Sequence, residues 1–86
     1  MPEISRFFGI VIAMYYNDHR PPHFHASYGD HQALIEVATG AIVAGSLPGR
    51  AVALVEEWRR RYKRQLERNW ALSEARMPLE SIRPLE

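Results

Sequence analysis

The residues from Phe8 to Tyr16, FGIVIAMYY, carry no charged side chain and are rich in β-branched and aromatic residues. Such a run, ending at the polar segment Asn17-Asp18-His19-Arg20, predicts a buried strand. Pro21 and Pro22 fix φ and hold the residues before them extended, so a second strand is expected from His23 to about Tyr28. Gly29-Asp30 is a turn signal, and Gln32 to Val37 follows it as a third strand. Thr39-Gly40 turns the chain again into Ala41-Ile42-Val43-Ala44. The short connections leave no room for the crossovers that parallel neighbours need, so these four strands form an antiparallel meander.

After the strands the hydrophobic period changes from two to between three and four. Ser46 is a candidate helix cap, Pro48 suits a first turn, and Ala51, Leu54, Val55, Trp58, Tyr62 and Leu66 draw one apolar stripe. The spacing predicts one long helix covering the sheet, with its latest stop at Met77-Pro78 and an earlier break near Asn69. Run without interruption from Pro48 to Met77 it would be about 45 Å long, more than a small sheet covers. Its distal end around Trp70 therefore needs a partner or a bend. The tail from Leu79 to Ile82 is expected as an extended piece along a sheet edge. The whole describes an α+β domain over residues 1–86: a small antiparallel meander of about four strands, one long C-terminal helix and an extended tail.

Composition narrows the chemistry. The chain has no cysteine among 86 residues, which removes disulfides, thiolate metal sites and cysteine nucleophiles together. No apolar run approaches the roughly 20 residues that cross a bilayer, and Glu3 stands where a signal peptide carries basic residues, so a cytoplasmic location without membrane contact is expected. The net charge of +1 exerts no bulk pull on nucleic acid. The charges are nevertheless uneven: Glu56 to Arg68 holds six Lys/Arg against three Asp/Glu. Arg59, Arg60, Arg61, Lys63, Arg64 and Arg68 are expected to fan around the solvent side of the helix. Pairing of Glu56 with Arg60 and Glu57 with Arg61, four residues apart, makes a solvated face; an RNA-facing patch containing Arg60 and Arg64 is the competing explanation. No glycine-rich phosphate loop, serine elbow or spaced carboxylate pair is present, and no cofactor is expected.

Three of the four histidines lie within seven residues, in Asn17-Asp18-His19-Arg20-Pro21-Pro22-His23-Phe24-His25-Ala26. Strand alternation sets His23, His25 and Ser27 on one face and Phe24, Ala26 and Tyr28 on the other, with Phe24 toward the core. Three chemistries fit. The imidazoles can satisfy backbone groups; His23 and His25 can act as acid and base on RNA; or His19, His23 and His25 can hold a metal, with Asp18 or His31 as further ligands. The metal option is not favoured, because His-x-His alone is a weak motif, and its hydrolytic version is lowered further because no glutamate follows at a suggestive spacing. Asp18, Arg20 and Phe24 are candidate binding residues beside the histidines. Trp70, near the margin of the apolar stripe and beside arginines, is equally a core residue or a candidate interface anchor.

Ile4-Ser5-Arg6-Phe7-Phe8-Gly9-Ile10, Asn17-Asp18-His19 and Pro21-Pro22-His23-Phe24-His25-Ala26 resemble the signature of the domain of unknown function family 4160. The likeness extends through Gly45-Ser46-Leu47-Pro48, Glu57-Trp58, Asn69-Trp70 and Ile82-Arg83-Pro84-Leu85. The resemblance implies a small bacterial or archaeal protein encoded beside another short protein, in a toxin–antitoxin-like pair. It also marks Asp18, His19, Pro22, His23, Phe24, His25, Trp58 and Trp70 as residues to watch. The expected function is accordingly binding of a partner protein encoded by a neighbouring gene, in a homo- or hetero-oligomer. A metal-independent endoribonuclease using His23 and His25 is the alternative, and a histidine-bound metal site the second.

Overall fold

The computed structural model describes residues 2–16 and 18–86. Five strands, β1 (Glu3–Phe7), β2 (Ile10–Ala13), β3 (His23–Tyr28), β4 (His31–Glu36) and β5 (Ile42–Gly45), form one antiparallel sheet in sequential order. Two helices follow, α1 (Gly49–Arg61) and α2 (Lys63–Glu74). The α+β class and the meander agree with expectation, but the strand count does not. β1 was not foreseen because the turn after it is built from Phe8-Gly9, both at positive φ (49° and 82°). That geometry closes a two-residue hairpin, yet a phenylalanine is a rare choice where asparagine or glycine avoids the steric cost. The run from Phe8 to Tyr16 is therefore not one strand: its first two residues are the turn, and the ladder ends at Ala13. An irregularity between Glu3 and Ser5 leaves Ile4 as an extra residue and lets both Ile4 and Ser5 face inward.

The single long helix is also corrected. It breaks at Tyr62, whose backbone leaves helical geometry (φ −117°, ψ 27°). An unbroken rod over residues 49–74 would be about 39 Å long, longer than the 33 Å maximum extent of the molecule. The bend lets both halves bury a stripe: Ala51, Val55 and Trp58 from α1, then Leu66, Asn69, Trp70 and Ser73 from α2. Asn69 is thus no breaking point. The helix stops at Glu74, short of Met77, where Arg76 at φ 58° donates its N–H to Ser73 and Met77 donates to Leu72. These two bonds satisfy the last carbonyls, as at many helix ends.

The core lies between α1 and the helix-facing side of the sheet, around Trp58, which sits 5.4 Å from Phe7 and 5.8 Å from Phe24 between ring centroids. The tail runs along the β1 edge as expected. Ile82 donates its N–H to the Ile4 carbonyl, the Trp58 indole donates to the Arg83 carbonyl, and Ile82 and Leu85 are buried. The Asn69 amide fastens the same segment, donating to the Glu80 carbonyl at 2.8 Å and accepting from the Glu80 N–H at 2.9 Å.

The arginine fan is partly overturned. Arg60, Arg61, Arg64 and Arg68 are exposed, and Glu56–Arg60 and Glu57–Arg61 pair as anticipated. Arg59, however, is buried and reaches back to the Val37 carbonyl.

β5 joins β4 with an irregularity in which Leu34 faces Ala44, Ile35 faces Ile42, and Val43 is the extra residue. Gly45, at φ +75°, lets the chain leave this pairing; a Cβ there would collide with the Gln32 carbonyl oxygen. Gly45→Ala is expected to cost about 1–3 kcal/mol through backbone strain. It should also speed amide exchange at Ser46, whose N–H bonds the Gln32 carbonyl. An unchanged urea midpoint would contradict this.

Candidate functional site

The side of the sheet facing away from α1 carries a cavity of about 300 Å³ where β3, β4 and β5 meet the segment from Asp18 to Pro21. Its construction follows from the hairpin. The two-residue turn Gly29-Asp30 pairs Tyr28 with His31, so the count back along both strands sets His25 opposite Leu34 and His23 opposite Glu36. Alternation keeps these four on the cavity side while Phe24, Ala26, Ala33 and Ile35 go to the core. Bulged Val43 adds an apolar wall. The Pro22 carbonyl accepts from the Val37 N–H, so the proline segment lies against the end of the sheet.

Asp18, His23 and His25 form a tight cluster. His23 Nδ1 is 2.9 Å from the Pro21 carbonyl oxygen. A carbonyl only accepts, so the ring donates Nδ1–H there and a neutral His23 presents a lone pair at Nε2. That Nε2 lies 2.9 Å from Asp18 Oδ2, and His25 Nε2 lies 3.3 Å from the same oxygen. A carboxylate oxygen has no proton to give, so the short His23–Asp18 distance calls for a cation between the atoms: a proton on His23, or a metal ion. Burial pushes the Asp18 carboxyl up, but the hydrogen bond from His25 and the charge and hydrogen bond of His23 outweigh it and hold the group below its ordinary range. Asp18 is therefore ionised throughout the neutral range. Around the cluster, Tyr15 meets the His25 ring edge-on at 4.5 Å and Trp70 stands 5.3 Å from the His23 ring.

The remaining expected site residues fall elsewhere. His19 lines the same cavity but is exposed and stands outside the cluster, its place taken by Asp18. His31 is at the opposite end of β4. Arg20 also lines the cavity, but its guanidinium is paired with Glu74 of α2 at 3.1 Å. Phe24 is fully buried and is core, not a binding residue. Arg60 is engaged by Glu56, and Arg60 and Arg64 belong to the helices and do not line the cavity. Trp70, left open between core and interface, is buried at 3% exposure because the bend at Tyr62 folds α2 back toward His23. Trp70 therefore leaves no uncovered aromatic surface at the distal end of the helix to call for a partner. His23 is itself only 7% exposed, although it was expected to point away from the core. Asp18, Pro21 and Trp70 enclose it. Leu34, Glu36, Val43 and the Pro21 carbonyl were not foreseen. The first two were implied by counting across the Gly29-Asp30 turn, whereas nothing local marks the other two.

A five-stranded sheet with α1 on one side and a histidine–carboxylate cluster on the other defines a small α+β protein with its polar chemistry on the sheet face away from α1. The chain belongs to the family described as Domain of unknown function (DUF4160), whose profile matches residues 9–71 and so takes in the whole cluster, α1 and Trp70. No curated protein and no solved structure matches the chain. No helix of the described residues is long and apolar enough to cross a membrane.

Proposed function

We propose that the chain is one half of a two-gene, toxin–antitoxin-like module and acts by binding a small protein encoded by the neighbouring gene. The carrying observation is an asymmetry of the sheet edges. At the β1 edge the C-terminal tail bonds Ile4 and buries Ile82, whereas β5, the other edge, is exposed along its whole length, with Val43 at 57% and Ile42 at 40% exposure. An edge strand offers a row of backbone donors and acceptors to an incoming strand, and apolar side chains beside it add affinity. Val43→Lys sets a hydrated charge at the centre of that edge. It is expected to weaken co-purification of the neighbouring gene product by about 30-fold or more, the scale of a central interface residue, while circular dichroism stays unchanged. Undiminished binding by a folded Val43→Lys variant would refute β5 as the contact.

The alternative, a metal-independent endoribonuclease with His23 and His25 as base and acid, has less support. In an in-line displacement the attacking and leaving oxygens lie on opposite sides of phosphorus, whereas both Nε2 atoms here converge on one Asp18 oxygen. His23 is also nearly closed to solvent, and the Arg20 guanidinium, the arginine at the cavity, is tied to Glu74.

A further inference from the structure

The geometry points to a binding site for a borderline divalent transition cation, with zinc as its representative, held by His23 Nε2, His25 Nε2 and Asp18 oxygen and open toward the adjoining cavity. This does not depend on the partner-binding proposal.

Four features support it. The three donor atoms lie within 4.8 Å of one another. With metal–ligand bonds of about 2.1 Å, donors on one ion stand roughly 3.0–3.4 Å apart, close to the 2.9 Å and 3.3 Å separating Asp18 Oδ2 from the two imidazoles. Secondly, the Nδ1–H of His23 is donated to the Pro21 carbonyl, an outer contact of the kind that fixes the tautomer of a metal-bound histidine and aims its Nε2 lone pair at the ion. Thirdly, both imidazole Nε2 atoms converge on the same carboxylate oxygen, Asp18 Oδ2, so one ion placed among them reaches all three side chains. Finally, three protein ligands leave coordination positions free, and a 300 Å³ cavity with Leu34 and Val43 in its wall adjoins them.

The donor set selects the ion. Two imidazole nitrogens with one carboxylate suit zinc, nickel, cobalt or ferrous iron, whereas magnesium and calcium prefer all-oxygen shells. His19 lines the cavity without joining the cluster, so it serves as an internal control.

The test uses the untagged full chain, stripped with chelator and then titrated with zinc chloride, cobalt chloride or magnesium chloride. The expected result is one zinc per chain after dialysis, with visible absorption bands on cobalt loading. At a zinc concentration a hundred times Kd, the melting temperature should rise by about 10 °C or more, because the ion binds the folded state alone. Magnesium should give none of this. His25→Ala removes a partly exposed ligand and Asp18→Asn is close to isosteric, so both are expected to fold while losing zinc affinity by at least about 100-fold, the upper end of losing only an outer-shell contact. His19→Ala should bind like wild type. Two results would each overturn the site: less than stoichiometric zinc on the wild-type chain, or retention of the melting shift in folded His25→Ala and Asp18→Asn. Absence of zinc binding would also assign the His23–Asp18 contact to a shared proton.

Discussion

Trp58→Ala is expected to lower stability by about 3–5 kcal/mol, the usual cost of deleting a buried tryptophan side chain. A domain of this length holds only about 4–13 kcal/mol in total, so the variant should be partly unfolded at 37 °C. Two losses add. Trp58 is completely buried between Phe7 and Phe24, and removing it leaves a cavity at the junction of sheet and helix. Its indole N–H is also one of the bonds holding the tail, through the Arg83 carbonyl at 2.8 Å. Trp58→Phe separates the two effects: it keeps most of the volume, loses the bond, and should cost less while making the segment after Pro78 more sensitive to protease. Urea unfolding followed by the fluorescence of Trp70 measures both. A loss under about 1 kcal/mol for the alanine variant would mean that the core does not depend on this residue.

The second large effect is expected at Arg59. Its guanidinium donates to the Val37 carbonyl at 2.9 Å and forms a two-pronged pair with Glu56, from Nε at 2.9 Å and Nη2 at 2.6 Å. Arg59→Met fills similar space with no donors, leaving the buried Val37 carbonyl without this partner. Breaking a fully buried pair costs about 3–5 kcal/mol. Glu56 is about one-third exposed, so solvent screening reduces the expected loss to about 2–3 kcal/mol.

The acid limb of the stability curve should change as well. The hydrogen bond from Arg59, opposed by burial and aided by Arg60, holds the Glu56 carboxyl below its ordinary 4.5. A depressed carboxyl contributes stability that is full above the ordinary value and is lost as pH falls through the lowered one. Asp18 contributes with the same sign below its ordinary 3.8. Wild type should therefore lose stability progressively from about pH 5 downward, and Arg59→Met should lose less over that interval because its Glu56 is no longer held down by Arg59. Parallel acid limbs in the two proteins would show that the pair does not link folding to pH.

How legible each part was depended on the range of the interactions behind it. The β3–β4 hairpin was read correctly because Gly29-Asp30 and the alternation on either side are local, and a two-residue turn fixes the pairing by counting. The histidine face followed from the same alternation. β1 was missed because its turn uses Phe8 at positive φ, against the usual preference. The arginine run was read as solvated because charge spacing on a helix cannot show which position meets the open carbonyl at the end of β4; Arg59 does so, and its neighbours Arg60 and Arg61 do not. Trp70 stayed divided between core and interface for a related reason. Helical spacing continues through Tyr62, so nothing in the pattern marks the bend that carries α2 back over His23.

By itself the sequence determined the meander, the apolar stripe of the helix, the burial of Phe24 and Trp58, and the placing of His23 and His25 on one strand face, since each follows from local periodicity and turn chemistry. The tertiary structure alone decided that Asp18, not His19, completes the histidine cluster, that Pro21 sets the His23 tautomer, that Trp70 is covered, and that β5 rather than β1 is the open edge. Those outcomes depend on where a turn, a bend and a tail come to rest against residues distant in the chain, and a one-dimensional pattern records no such distance.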